Sequence, residues 1–280
     1  MSQFNLGARG HDITAADTPE ALAKILKANN IENIQLALGM SFPKMPSQAK
    51  NLSPGMGTYF KNIFAKEGIQ IAILSCYINM IHPDLKIREE ALQKFISYVK
   101  YARYFGASMV ASETGGVLEK IIFTEKNYTP EAFAKVVDSV KQLVAAGEKY
   151  GVMIAIEPGL NHPLYSLEKV QQLITEVNSD YLGIILDPVN LLNAQTYQQE
   201  VELVQSAFEM FGEKIVAVHL KDFTIENEKL IPTNFGDGLT KNKEILEIID
   251  QYKPHLNIIL EETKDEALGK AKEKIDQFYL

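Results

Sequence analysis

The sequence predicts an α/β fold in which eight βα units close into a (β/α)8 barrel. Three observations carry that prediction. Short β-rich runs alternate with longer amphipathic runs, eight of each, along the whole 280-residue chain. Joints from helix to strand are short, whereas joints from strand to helix are long, notably 38–53, 75–83, 113–128, 157–165 and 220–239. That asymmetry puts a working face at the C-terminal ends of the strands. No linker, low-complexity segment or composition break divides the chain, so residues 1–280 read as one domain. An eight-stranded doubly wound sheet is the rival; the near-regular units favour the closed barrel.

The units follow in order. Strand one is Phe4–Ala8, and Thr18-Pro19 opens the helix at 18–29. A hydroxyl N-cap before a proline at the first helical position is a strong start signal. Strand two is Ile34–Leu38; Ser53-Pro54 opens the helix at 54–67, and Gly68 closes it. Strand three is Ile69–Leu74. The helix at 84–105 carries one apolar stripe of Ala91, Leu92, Phe95, Ile96, Val99, Ala102 and Phe105, and ends at Gly106. Strand four is Ser108–Ser112; Thr129-Pro130 and Gly151 bracket the helix at 130–150. Strands five to eight are Val152–Ile156, Leu182–Leu186, Ile215–His219 and Leu256–Leu260. Their helices run at about 166–178, 196–211, 240–252 and 264–278, with Gly212 expected as another left-handed closing glycine.

Composition excludes several classes. With 46% hydrophobic and 23% charged residues, the chain is neither disordered nor fibrous. A net charge of −8 argues against a nucleic-acid surface. Cys76 is the single cysteine, so no internal disulfide forms. The longest apolar runs, such as Val152–Ile156, fall short of a membrane span. The opening MSQFNLGARG has no basic segment before an apolar run, and a cytoplasmic protein is expected.

The strand ends carry the chemistry. Strands five to eight run into Glu157-Pro158, Asp187-Pro188, His219 and Glu261-Glu262. Neighbouring strands lie about 4.8 Å apart, so these side chains converge on one rim of the barrel mouth. Crowded carboxylates repel one another, and a divalent cation removes that cost. Oxygen ligands with one imidazole suit Mn²⁺, Co²⁺, Mg²⁺ or Zn²⁺. Polar strand ends also occur simply because strands reach solvent; four in succession with ligand chemistry favour the metal site. Four of the five histidines, His11, His82, His162 and His219, fall on the long-loop side, and only His255 falls at the other end.

These segments, IAIEP (154–158), ILDPVN (185–190), AVHLKD (217–222), the FGDG turn (235–238) and IILEE (258–262), resemble the sugar phosphate isomerase/epimerase proteins of the xylose-isomerase-like TIM barrel superfamily. SCYINMIHPD (75–84) with Arg88-Glu89-Glu90, and ASETGG (111–116), look like the same family. The resemblance implies that Glu157, Asp187, His219 and Glu261 hold one divalent metal. It implies further that Glu157 and Glu261 flank a substrate carbon next to a carbonyl. One takes a proton and the other returns it, while the metal stabilises the enediolate between them. The expected substrate is a small carbohydrate; self-association through outer helices is possible, and no nucleic acid or membrane is expected as a partner.

Around this set lie further candidates for substrate contact. His162 could bond a substrate hydroxyl or cap loop backbone. Lys221 shares strand parity with His219 and could face the mouth or solvent. Glu113 ends strand four and could shape the site; Tyr77, Asn79 and His82 could form its wall. Cys76 beside them reads as packing. The Gly236-Asp237-Gly238 backbone could bind phosphate or form a plain turn. Ketose 3-epimerases of the family carry arginine six residues after the strand-seven histidine, where this chain has Ile225, which counts against simple ketose 3-epimerisation. A dehydratase of a keto-polyol, like the inosose dehydratases, would use the same four ligands. An endonuclease IV-like phosphodiester hydrolase needs ligands absent here: Asn190 stands where it has histidine, and no Asp-x-His occurs between 222 and 239. A non-catalytic sugar-binding barrel would have no need of the carboxylate pair.

Overall fold

The computed structural model describes residues 4–278. Its strands are β1 (Asn5–Arg9), β2 (Asn33–Leu36), β3 (Gln70–Ser75), β4 (Met109–Glu113), β5 (Met153–Glu157), β6 (Leu182–Leu186), β7 (Ile215–Leu220), β8 (Asp222–Glu226), β9 (Lys229–Thr233) and β10 (Asn257–Leu260). Its helices are α1 (Pro19–Ala28), α2 (Leu38–Ser41), α3 (Pro54–Lys66), α4 (Leu85–Phe105), α5 (Pro130–Tyr150), α6 (Leu167–Val177), α7 (Glu200–Phe211), α8 (Asn242–Tyr252) and α9 (Ala267–Gln277). Eight parallel strands close in the order β1-β10-β7-β6-β5-β4-β3-β2, as a (β/α)8 barrel requires.

Strand parity positions the site. Ile73, Met109, Ala111, Ala155, Ile185, Ala217 and Ile259 form a small apolar plug of their own, apart from the large core. They point into the lumen, so residues two positions further on also point inward at the mouth. Among those residues are Glu113, Glu157, Asp187, His219 and Glu261. The alternate, outward residues, such as Val110, Ile154, Ile156, Ile184 and Val218, pack against the helices in the main core. On β1, Gly7 faces inward: a Cβ there would lie 2.7 Å from Ile259 Cδ1 and 2.9 Å from Asn33 Cβ.

Caps define the helices. Thr18, Ser53 and Thr129 hydroxyls accept from Ala21, Met56 and Ala132 N–H, each ahead of a proline. Asp84 accepts from Lys86 and Ile87 N–H at the start of α4, and Gly106 at its end has φ 80°. Three expectations change. Gly212 has φ −53° and opens a 3-10 turn through Lys214, rather than a left-handed stop. Strand two ends at Leu36, because Leu38 already opens the short helix α2. The segment expected as a loop at 220–239 contains the antiparallel hairpin β8–β9, turned at Asn227-Glu228 with φ 49° and 59°.

Candidate active site

Glu157, Asp187, His219 and Glu261 are all buried, and one potential ligand atom from each lies within 4.8 Å of the others. His219 Nδ1 stands 2.8 Å from Glu261 Oε2 and 3.3 Å from Glu157 Oε1. Its Nε2 lies 2.7 Å from Gln35 Oε1. Gln35 Nε2 donates to the Tyr77 hydroxyl at 3.0 Å, which turns the amide oxygen toward the histidine. An acceptor there fixes a hydrogen on Nε2, so Nδ1 is the nitrogen turned toward the carboxylates.

The donor set fits a divalent cation. Although close to opposite charges, Asp187 Oδ2 and His219 Nδ1 are buried without a directed hydrogen bond. Both atoms are held by charge, Asp187 Oδ2 by Lys221 and His219 Nδ1 by Glu261 and Glu157, and both converge on the same small space. Three carboxylate oxygens and one imidazole nitrogen match Mn²⁺, Co²⁺, Mg²⁺ or Zn²⁺.

Cations of the chain surround the cluster. Lys221 Nζ lies 2.9 Å from Asp187 Oδ2 and 3.2 Å from Glu261 Oε1, and donates to Asn190 Oδ1 at 2.6 Å. Arg9 approaches Glu261 Oε1 at 2.8 Å and also pairs with Asp12 and Glu262. Asn190 Nδ2 donates to Glu157 Oε1 at 2.7 Å, and its backbone N–H to Asp187 Oδ1 at 3.1 Å. These contacts divide the carboxylates. Burial raises Glu157 and Asp187 above the ordinary range. Burial also works to raise Glu261, but Lys221, His219 and Arg9 together hold it well below that range. His219 is lowered by burial and raised more by Glu157 and Glu261, to about 10. A proton and a metal ion at Nδ1 are alternatives, so metal uptake there releases a proton.

The other candidates divide. Glu113 pairs across the sheet with Glu157, and its Oε1 lies 3.5 Å from His162 Nε2. His162 is buried, and its Nδ1 lies 2.9 Å from Gly115 O, so that nitrogen carries the hydrogen. Tyr77 stands at the mouth behind Gln35. Lys221 faces the cluster. The structure does not bring Asn79 and His82 to it. Asn79 is spent bracing the loop after β4: its amide donates to Gly116 O and Leu118 O, and its oxygen accepts from Ile81 and Gly116 N–H. His82 Nδ1 accepts from Asp84 N–H at the start of α4. Cys76 is buried, and burial pushes its thiol up to about 12.

The Gly236–Gly238 turn does not offer its backbone to phosphate. The Asp222 carboxylate already fills that place, accepting from Phe223, Gly236 and Thr240 N–H and from Asn242 Nδ2. A Cβ at Gly238 would collide with Asp222 Oδ1 and Phe223 O.

Sequence reading missed Arg9, Gln35 and Asn190 as parts of the site. Arg9 had one available signal, since it ends β1 at the mouth. Asn190 lies inside ILDPVN, where it stood out only as the lack of a histidine.

The xylose isomerase-like TIM barrel family matches residues 23–279. The chain belongs to that family. No protein of curated function matches it. Among solved structures, an IOLI protein with a bound zinc atom is similar over 99% of this chain and 98% of its own, at 18% identity and TM-score 0.73. The probable 3-DHS dehydratase AsbF of Bacillus anthracis covers 97% of this chain over 98% of its own, at 13% identity and TM-score 0.74. The 3-keto-D-glucoside 4-epimerase YcjR of E. coli covers 99% of both, at 13% identity and TM-score 0.72. At such identities the likeness establishes the fold. Among the described residues, no helix is long and apolar enough to cross a membrane.

Proposed function

We propose that the chain is a divalent-metal-dependent isomerase or epimerase of a small sugar or sugar phosphate. The observation that carries this reading is the buried set of Glu157, Asp187, His219 and Glu261, whose ligand atoms lie within 4.8 Å of one another at the barrel mouth. These four residues would hold the ion. When bound, a divalent ion supplies Lewis acidity to neighbouring substrate oxygens.

The chain's own residues would do the rest. Glu261, kept ionised by Lys221, His219 and Arg9, is suited to take a proton from the carbon next to a carbonyl. Glu157, raised by burial, is suited to return one. Asn190 holds Glu157 in place through the 2.7 Å bond to Oε1. Lys221 supplies a positive charge beside the oxygen on which negative charge would develop. His162 and Glu113 stand ready at the wall for a substrate hydroxyl.

A keto-polyol dehydratase is the second reading, and the Glu113–His162 pair favours it. A buried histidine held by a carboxylate can protonate a departing hydroxyl after the same proton abstraction. The similar proteins named above as an epimerase and a probable dehydratase are consistent with either outcome. Phosphodiester hydrolysis by several metals has less support, because no second ligand cluster occurs among the described residues.

The test is a screen of ketoses, keto-polyols and their phosphates with Mn²⁺ in D2O, followed by NMR. Deuterium entering next to the carbonyl with the carbon skeleton intact is expected; loss of water would select the dehydratase. Glu157→Gln and Glu261→Gln should each cut turnover by ~100-fold or more with the fold retained. Full activity of both variants on a true substrate would refute the acid/base roles.

A further inference from the structure

We propose that Lys221 is a built-in counter-cation of the metal site, which a divalent ion must displace from Asp187. The proposal rests on the reading of Glu157, Asp187, His219 and Glu261 as ligands, and concerns how that site is filled.

The two cations beside the cluster are placed differently. Arg9 approaches Glu261 at Oε1, while Oε2 is the oxygen turned toward His219. Arg9 is also tied to both Asp12 oxygens and to Glu262, so it is fixed on the outer side. Lys221 instead lies on Asp187 Oδ2. The other oxygen of that residue is committed to the Asn190 backbone N–H. Oδ2 is therefore the atom that Asp187 has to offer an ion, and the ammonium covers it.

Lys221 has three donors, and three oxygens surround them: Asn190 Oδ1, Asp187 Oδ2 and Glu261 Oε1. This arrangement satisfies a buried ammonium and keeps the carboxylates together without an ion. Its flexible four-carbon stem lets the head leave while the backbone of β7 stays fixed. A metal ion reaching Asp187 would repel the ammonium and take its ligand atom. The released head, still hydrogen-bonded through Asn190, would present free donors to a substrate oxygen at the mouth. Filling the metal site would thus arm a substrate contact.

The experiment is a Mn²⁺ titration of the full chain freed of metal, read from the EPR signal of unbound Mn²⁺. Wild type is compared with Lys221→Met, Lys221→Gln and Arg9→Gln. Removing the competitor is expected to tighten Mn²⁺ binding by roughly tenfold or more in both Lys221 variants, and by less than about threefold in Arg9→Gln. Unchanged or weaker binding in the Lys221 variants overturns the proposal. Equal tightening in all three also overturns it, since charge alone would then explain the effect. If the wild type and all variants bind no Mn²⁺, the ligand reading itself falls and takes the proposal with it. Should the Lys221 variants fail to fold, amine labelling of wild-type Lys221 decides. Zn²⁺ is expected to raise its labelling, and no change overturns displacement.

Discussion

Asp222→Asn is expected to cost about 4 kcal/mol of stability, because the Asp222 carboxylate serves four donors in a buried place. Oδ1 accepts from Phe223 and Thr240 N–H, both at 2.9 Å; Oδ2 accepts from Gly236 N–H at 2.9 Å and Asn242 Nδ2 at 3.1 Å. An amide keeps one oxygen, so the Phe223 and Thr240 bonds survive without their charge. The new nitrogen faces two donors. Asn242 can adapt by turning its amide, since its Oδ1 is buried without a partner. The Gly236 N–H cannot adapt. One unpaired buried N–H costs ~1–3 kcal/mol, and weakening three charge-assisted bonds adds ~0.5–1 kcal/mol each. Urea unfolding followed by circular dichroism measures the sum. A loss below ~1 kcal/mol would refute the assignment of Asp222 as the internal anion of this turn.

Further expectations follow from other buried groups. Glu200 is raised by burial to about 7, with Oε1 unpartnered and Oε2 accepting from Lys241 N–H. Its folded value lies above its unfolded one, so its stabilising effect is complete below about pH 4.5 and is lost as pH rises through about 7. Glu200→Gln should therefore gain up to ~3 kcal/mol on the wild type above pH 7, and parallel pH–stability curves for the two would contradict this. Gln35→Leu removes the acceptor at His219 Nε2, and Mn²⁺ affinity should fall about 10- to 100-fold. Unchanged affinity would mean that another group sets the histidine tautomer.

Much of the fold was legible because its signals are local. Thr18-Pro19, Ser53-Pro54 and Thr129-Pro130 start helices where hydroxyl caps and prolines predict. The β8–β9 hairpin was hidden because its turn is Asn227-Glu228. Both residues adopt positive φ, where asparagine followed by glycine is the usual signal. Gly212 misled because glycine also tolerates the ordinary helical region that it occupies here. Within the site, each strand-end carboxylate breaks an apolar run, and parity aims it inward. Gln35 does interrupt an apolar strand and Arg9 does end one, but neither is ordinary metal-ligand chemistry, and Asn190 lies beyond its strand. Their places depend on which strands close the barrel beside which, and chain order alone does not reveal that. The Gly236–Gly238 turn looked open to phosphate because its internal anion, Asp222, lies 14 residues away from Gly236.

The most direct measurement is the metal content per chain, by elemental mass spectrometry, of wild type and Asp187→Asn purified without chelators and then incubated with Mn²⁺. About one equivalent in the wild type and little in the variant is the expected result. No metal in the wild type, or equal metal in both, would contradict the assignment of Glu157, Asp187, His219 and Glu261 as its ligands.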